Sequence, residues 1–215
     1  MNIKNRIFYS VIFKIVPGNW KFKLIYKFNL WASDESISGP GSEVYKTRAV
    51  VDFLTGFIKN RKIKTILDIP CGDFNWMQTV NLSGIQYLGG DVVEQLVRQN
   101  TKQFGTENIS FEIMDIITGK LPDSDLMIVR DLFIHFSQEN TQKAMKNIKN
   151  SKIKYLLVTT FPDSKQNKSI RDGYNYNINL QLHPFSFNEP IFLIQEQIIN
   201  NNERKCLGLW KVADL

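Results

Sequence analysis

Cysteine is scarce in this chain of 215 residues, with Cys71 and Cys206 the only two. Their spacing forms neither a disulfide framework nor a metal-ligand pattern, so structural thiols in a reducing, cytoplasmic setting are the expectation. Long apolar runs are lacking too: no stretch reaches the roughly 20 continuous apolar residues that span a bilayer. A secretory signal is disfavoured because Lys14 interrupts the short apolar segment and no small-residue cleavage site follows. There is no internal repeat and no inter-domain linker. The basic residues of the N-terminal segment are not interleaved with clustered aromatics and match no RNA-binding signature, so nucleic acid is not an expected partner.

What is present is an ordinary globular composition, 43% hydrophobic and 22% charged, sufficient for one well-buried core. The charge is unevenly placed. Lys4, Arg6, Lys14, Lys21, Lys23 and Lys27 all precede the first acid, Asp34, so residues 1–33 carry +6, which is the net charge of the whole chain. Ile7, Phe8, Val11, Ile12, Ile15 and Val16 recur at helical offsets and predict a short amphipathic helix, ended by Pro17-Gly18. Such a helix suits an anionic membrane face, where each Lys or Arg contributes about 1 kcal/mol. It suits equally the flank of the domain or of a second subunit. The expected division is a basic extension over 1–33 and one domain over 34–215, cytoplasmic, with peripheral contact at the inner membrane face open.

The segment from Thr65 to Trp76 reads as a buried strand, a tight turn and then a helix. Its apolar run from Ile63 to Ile69 contains Asp68 near the end, and Gly72 supplies a permissive backbone or close approach to a ligand. A second strand, from Ile85, ends in Asp91, about 20 residues past the turn, where a nucleotide fold places an acid on the ribose hydroxyls. A third strand, 109–113, is followed by Met114-Asp115-Ile116, and a fourth, 126–129, by Arg130-Asp131. Polar groups at four successive strand ends of one sheet edge point to a ligand containing adenosine.

The series Asp68-Ile69-Pro70-Cys71-Gly72, Asp91 and Asp115 resembles the cofactor site of class I S-adenosylmethionine-dependent methyltransferases. The string LDIPCGDFNWM is similar to a bacterial, polysaccharide-associated branch of them. The resemblance runs from about Trp31 to the C-terminus and implies a Rossmann-like α/β fold of seven strands closed by a C-terminal antiparallel hairpin. It implies that Asp68, Gly72 and Asp73 hold the methionine part of S-adenosylmethionine, that Asp91 binds the ribose, and that Asp115 with the Ile116 backbone binds the adenine. Arg130 is counted with this cofactor set. The usual turn has the form D-x-G-x-G-x-G, whereas Pro70 and Phe74 stand at the outer glycine positions. This departure weighs against a phosphate-binding dinucleotide site, which needs a run of free backbone amides.

A loop rich in turn formers, 31–42, leads into a helix expected over 43–59, with Ser42 as its N-cap and Val44, Val51, Leu54 and Ile58 as its stripe. Ser42, Thr47 and Arg48 are candidates to reach the cofactor carboxylate or the substrate. After the fourth strand, Asp131 and His135 are four apart, so a helical turn places them on one face. Histidine suits proton removal near neutral pH, and a carboxylate beside it holds its tautomer; alternatively Asp131 is the base and His135 orients it. Methyl transfer to a hydroxyl needs such a base. A metal held by Asp131 and Asp163 is the weaker alternative.

A helix over 140–150 and a fifth strand over 155–160 precede a long polar and aromatic segment, 161–188. Its asparagines and tyrosines, among them Asn167, Tyr174, Asn175, Tyr176, Asn177 and Asn179, are what a carbohydrate site offers. Apolar runs over 191–198 and 205–212, joined by Asn200 to Glu203, predict the closing hairpin. The expected function is methyl transfer to an oxygen nucleophile, a sugar hydroxyl of a surface glycan or its precursor. A small-molecule methyltransferase and a non-catalytic cofactor-binding partner of a glycan enzyme are the alternatives; a dehydrogenase is a third class.

Overall fold

The computed structural model describes residues 16, 18–199 and 203–215. The helix expected over 7–16 and the middle of the hairpin turn at 200–202 lie outside the described residues. Seven strands form one sheet in the order β3-β2-β1-β4-β5-β7-β6: β1 Thr65–Asp68, β2 Gln86–Asp91, β3 Ile109–Ile113, β4 Leu126–Val129, β5 Tyr155–Thr160, β6 Phe192–Ile198 and β7 Arg204–Lys211. The first five are parallel, and β7 runs antiparallel to both β5 and β6. This is the seven-stranded fold with a closing hairpin that the resemblance implies.

Side chains alternate across the sheet because successive strand residues face opposite sides. Leu67, Met127, Val129, Leu156 and Val158 pack on one face with α4, Gln138–Lys149, through Ala144, Met145 and Ile148. Ile66, Leu126, Ile128, Leu157 and Leu209 pack on the other with α2, Val44–Arg61, through Val50, Leu54 and Phe57, and with α3, Glu94–Phe104, through Val97. β4 lies between β1 and β5 and is buried at all four residues, which is why it reads as an unbroken apolar run.

Two local expectations are corrected, and one helix is added. No α-helix follows β1; only a 3-10 turn, Met77–Thr79, lies before β2. Phe74 sits at φ +60°, outside the right-handed helical region, and the buried apolar residues Phe74, Trp76, Met77, Val80 and Leu82 anchor an irregular segment in the core. Gly18 opens a helix that the sequence reading did not place: α1 spans Gly18–Lys27, with Phe22, Ile25 and Tyr26 turned toward the domain. Ser42 does not cap α2. It closes a 3-10 turn, Glu43 stands at the cap position, and the Glu35 carboxylate accepts from the Val44 N–H at 2.7 Å.

Candidate functional site

Strand order reverses between β1 and β4, and the crevice beyond the C-terminal strand ends at such a point is where open α/β sheets bind ligands. A cavity of about 550 Å³ opens there. The turn after β1 and the ends of β2, β3 and β4 form its floor, while α1 and the loop from Trp31 to Ser42 form its roof.

On one side stand the acids of β2 and β3. Asp91 is buried; its Oδ1 accepts from Val93 N–H at 3.0 Å and its Oδ2 from Gly72 N–H at 3.3 Å. Burial pushes its carboxyl up to about 6 against the pull of those N–H groups. Asp115 accepts from Ile117 N–H through Oδ1 at 2.8 Å, and the Ile116 N–H has no protein acceptor among the described residues. Gly72 is at φ +56°, and a Cβ there would collide with the Ser38 hydroxyl, so the turn approaches the roof as only glycine permits. Two carboxylates with free lone pairs at adjacent strand ends, a glycine turn and an open N–H fit an adenosine ligand with a ribose diol.

The other acids assigned to the methionine part sit differently. Asp68 is buried behind the cavity wall: its Oδ2 accepts from the Tyr87 hydroxyl at 2.8 Å, Oδ1 has no partner, and burial raises the carboxyl to about 7. Asp73 lines the cavity, but its carboxylate accepts from the Ser36 hydroxyl, the Ile37 N–H and the Ser38 hydroxyl at 2.9–3.0 Å. It thereby latches the roof loop to the β1 turn. Asn75 adds a second tie, donating to Glu35 and to the Ser42 carbonyl. Of the α2 candidates, Ser42 lines the cavity, the Thr47 hydroxyl is buried and bonds back to the Val44 carbonyl, and Arg48 is exposed away from the site.

On the opposite side stands His135, at the end of a 3-10 turn, Phe133–His135. Its Nδ1 lies 3.0 Å from the Tyr174 carbonyl, its ring stacks on Trp31 at 5.3 Å, and Phe22 meets it edge-on at 6.4 Å. A carbonyl only accepts, so Nδ1 carries the proton and Nε2 is the bare nitrogen. Burial lowers the His135 pKa, outweighing the Tyr174 bond and nearby Asp131, so the ring is neutral at neutral pH.

Asp131 also reaches the cavity, but it is not the residue that holds the histidine tautomer; the Tyr174 carbonyl is. Its Oδ2 takes Lys205 Nζ at 2.6 Å, with Arg130 Nη1 at 3.4 Å, and its Oδ1 takes the Thr159 hydroxyl at 3.1 Å. Burial works to raise this carboxyl, yet Lys205 and Arg130 outweigh it and hold it well below the usual range, which makes it a poor base. Arg130 lines the cavity with its guanidinium already engaged by Glu196 at 2.8 Å and the Gly41 carbonyl at 2.7 Å. Asp163 is held by Arg204 at 2.7 Å, away from Asp131's partners. Among the described residues, no group of three or more His, Cys, Asp or Glu side chains stands together as metal ligands do.

Three asparagines of the long segment bond within the fold, while Asn175 is exposed. Asn167 donates to the carbonyls of Asn179 and His183, Asn179 to those of Pro162 and Ser164, and Asn177 to Glu203. They order the loop that carries Tyr174, so these three amides are used within the fold. Sequence reasoning missed Trp31 and Phe22 as site residues, and the Lys205–Glu196 side of the ion cluster. The last had a signal: an acid and a base on facing strands of a predicted hairpin, displaced by a bulge between Gln195 and Gln197.

No family model matches the sequence, and no curated protein matches it. Many solved structures share the fold. The magnesium protoporphyrin IX methyltransferase from Synechocystis PCC 6803 with bound SAM is similar at 13% identity and a TM-score of 0.60, over 90% of this chain and 97% of that one. The methyltransferase domain of bacterial CtHen1 is similar at 12% identity and a TM-score of 0.57, over 79% and 100%. Human N-acetylserotonin methyltransferase in complex with SAM is similar at 14% identity and a TM-score of 0.59, over 90% of this chain but only 59% of that one. The chain therefore has the fold of class I S-adenosylmethionine-dependent methyltransferases.

Proposed function

We propose that this chain is an S-adenosylmethionine-dependent methyltransferase acting on a hydroxyl oxygen, with His135 as the base. The single observation that carries the reading is the bare Nε2 of His135, set by the Nδ1 contact to Tyr174 at 3.0 Å, in the same cavity as Asp91 and Asp115. When bound, S-adenosylmethionine supplies an electrophilic methyl group. Asp91 orients the ribose hydroxyls, and Asp115 with the Ile116 N–H takes the adenine edge. The roof loop, latched by Asp73, excludes water. His135 Nε2 accepts the acceptor hydroxyl's proton as the oxygen becomes nucleophilic, then returns it to solvent. The buried cluster of Arg130, Asp131, Glu196 and Lys205 holds the end of β4, from which the histidine turn starts.

The acceptor class we assign is a sugar ring of a bacterial surface glycan or its precursor. The support is the aromatic lining of the chamber around His135, from Phe22, Trp31 and Phe136, apolar surface against which a pyranose packs while a hydroxyl points at Nε2.

The test is calorimetric titration with S-adenosylmethionine and S-adenosylhomocysteine, followed by transfer of labelled methyl to extracted glycan precursors. Cofactor binding with transfer that falls on the order of 10²-fold or more in His135→Ala supports the reading. Binding without transfer to any acceptor makes the chain a cofactor-binding module. No binding, or preference for NAD, overturns it.

A further inference from the structure

Helix α1 has two faces, and among the described residues one of them packs on the cavity while the other is largely exposed. Phe22 and Tyr26 line the cavity and Ile25 is buried beside them. Both sides of the cavity hold the helix: Lys21 Nζ donates to the Asp172 carbonyl at 2.7 Å, near the His135 turn, and the Tyr26 hydroxyl donates to Gln99 of α3. Trp20, Lys23 and Lys27, spaced three and four apart, make the opposite face. Trp20 is 55% exposed, and Phe28, just past the helix end, is 49% exposed. Lysine ammonium groups lie over both rings, Lys23 over Trp20 at 4.8 Å and Lys27 over Phe28 at 5.5 Å. The helix contains no acidic residue.

We propose that this outer face of α1, Trp20, Lys23, Lys27 and Phe28, docks on an anionic lipid surface. It rests on the proposed reading only for its purpose, which is to present a lipid-linked acceptor to the chamber beside His135. Charge complementarity selects the occupant. Residues 1–33 hold six basic side chains and no acidic one, while the remainder of the chain is balanced. Exposed tryptophan and phenylalanine flanked by lysine is the composition that inserts at the headgroup boundary with its ammonium groups among lipid phosphates. A nucleic acid would use the lysines, but a single-strand groove stacks successive bases on a row of aromatic rings, whereas here each ring has a lysine over it. Because the inner face of the same helix roofs the cavity, docking holds the chamber within about one helix diameter, roughly 10–12 Å, of the surface.

The experiment is co-sedimentation of the full chain with vesicles of phosphatidylcholine alone and with 30% phosphatidylglycerol, beside the Lys23→Gln/Lys27→Gln and Trp20→Ser variants. S-adenosylhomocysteine titration of each variant is run in parallel. The expected result is binding only to the anionic vesicles, weakened about fivefold per lysine removed and lost in high salt, with cofactor affinity unchanged. Equal binding to neutral vesicles, anionic binding unaltered in the variants, or tighter binding to single-stranded nucleic acid overturns the proposal. Because S-adenosylhomocysteine binding is read separately, vesicle binding without it sinks the methyltransferase reading while leaving the docking face standing.

Discussion

His135 Nδ1 is turned to the Tyr174 carbonyl at 3.0 Å, which assigns the ring's one proton to that nitrogen and leaves Nε2 for chemistry. Burial lowers the ring below its ordinary value of 6.5. Protonation removes the base, so turnover falls as pH drops through a pKa below 6.5 and is flat above it. A pH profile of kcat in labelled-methyl transfer checks this. A midpoint above 7 assigns the limiting base elsewhere.

In the proposed reading Asp91 accepts the ribose hydroxyls. Asp91→Ala is expected to weaken S-adenosylmethionine by at least tenfold, since hydrogen bonds to a charged group contribute about 1.5–3 kcal/mol. Its carboxyl titrates at about 6, and hydroxyl donors favour the ionised form, so affinity in the intact protein falls as pH drops through about 6. Calorimetry at pH 8 and pH 5 reads both effects.

Asp73 closes the roof by accepting from Ser36, Ile37 and Ser38. In Asp73→Ala those donors lose a shared acceptor. Amide exchange across 36–42 is expected to speed up by about 10- to 100-fold, from roughly 1.5–3 kcal/mol of lost local stability. Exchange in β4 and β5 should hold constant, because those strands are paired on both sides. A mass-spectrometric exchange comparison distinguishes an opened loop from global loosening.

Asp68 costs stability at high pH. Its folded-state carboxyl is raised to about 7 from an ordinary value of 3.8, so the folded protein binds more protons between those limits and this contribution to stability falls as pH rises through that window. The Tm of Asp68→Asn minus that of the intact protein is therefore expected to increase from pH 4 to pH 8, by the equivalent of about 2–4 kcal/mol. A pH-independent difference refutes the assignment.

The central strands β1, β4 and β5 were legible because the sheet buries them on both faces, which leaves apolar runs. The ranges expected for β3, β4 and β5 are those found. The segment after β1 was not, because Phe74 and Met77, three apart, and Trp76 and Val80, four apart, suit a helix as well as an irregular anchor. Asn167 and Asn179 misled for a related reason: an amide suited to a sugar hydroxyl is equally suited to a backbone carbonyl, and only loop closure decides between them.

By itself, the sequence determined the sheet, its closing hairpin and the acids at its C-terminal edge, since these follow from local periodicity and from where strands stop. Tertiary structure decided which of those acids face the cavity. Asp91, Asp115 and Asp131 do, whereas Asp68 turns to Tyr87, and Asp73, at the cavity wall, has its carboxylate engaged by the roof loop. It also decided the surroundings of the two candidate bases, by carrying the Tyr174 carbonyl across 39 residues to His135 and Lys205 across 74 to Asp131. Charge and proton position depend on through-space neighbours, and no local pattern encodes contacts at such separations.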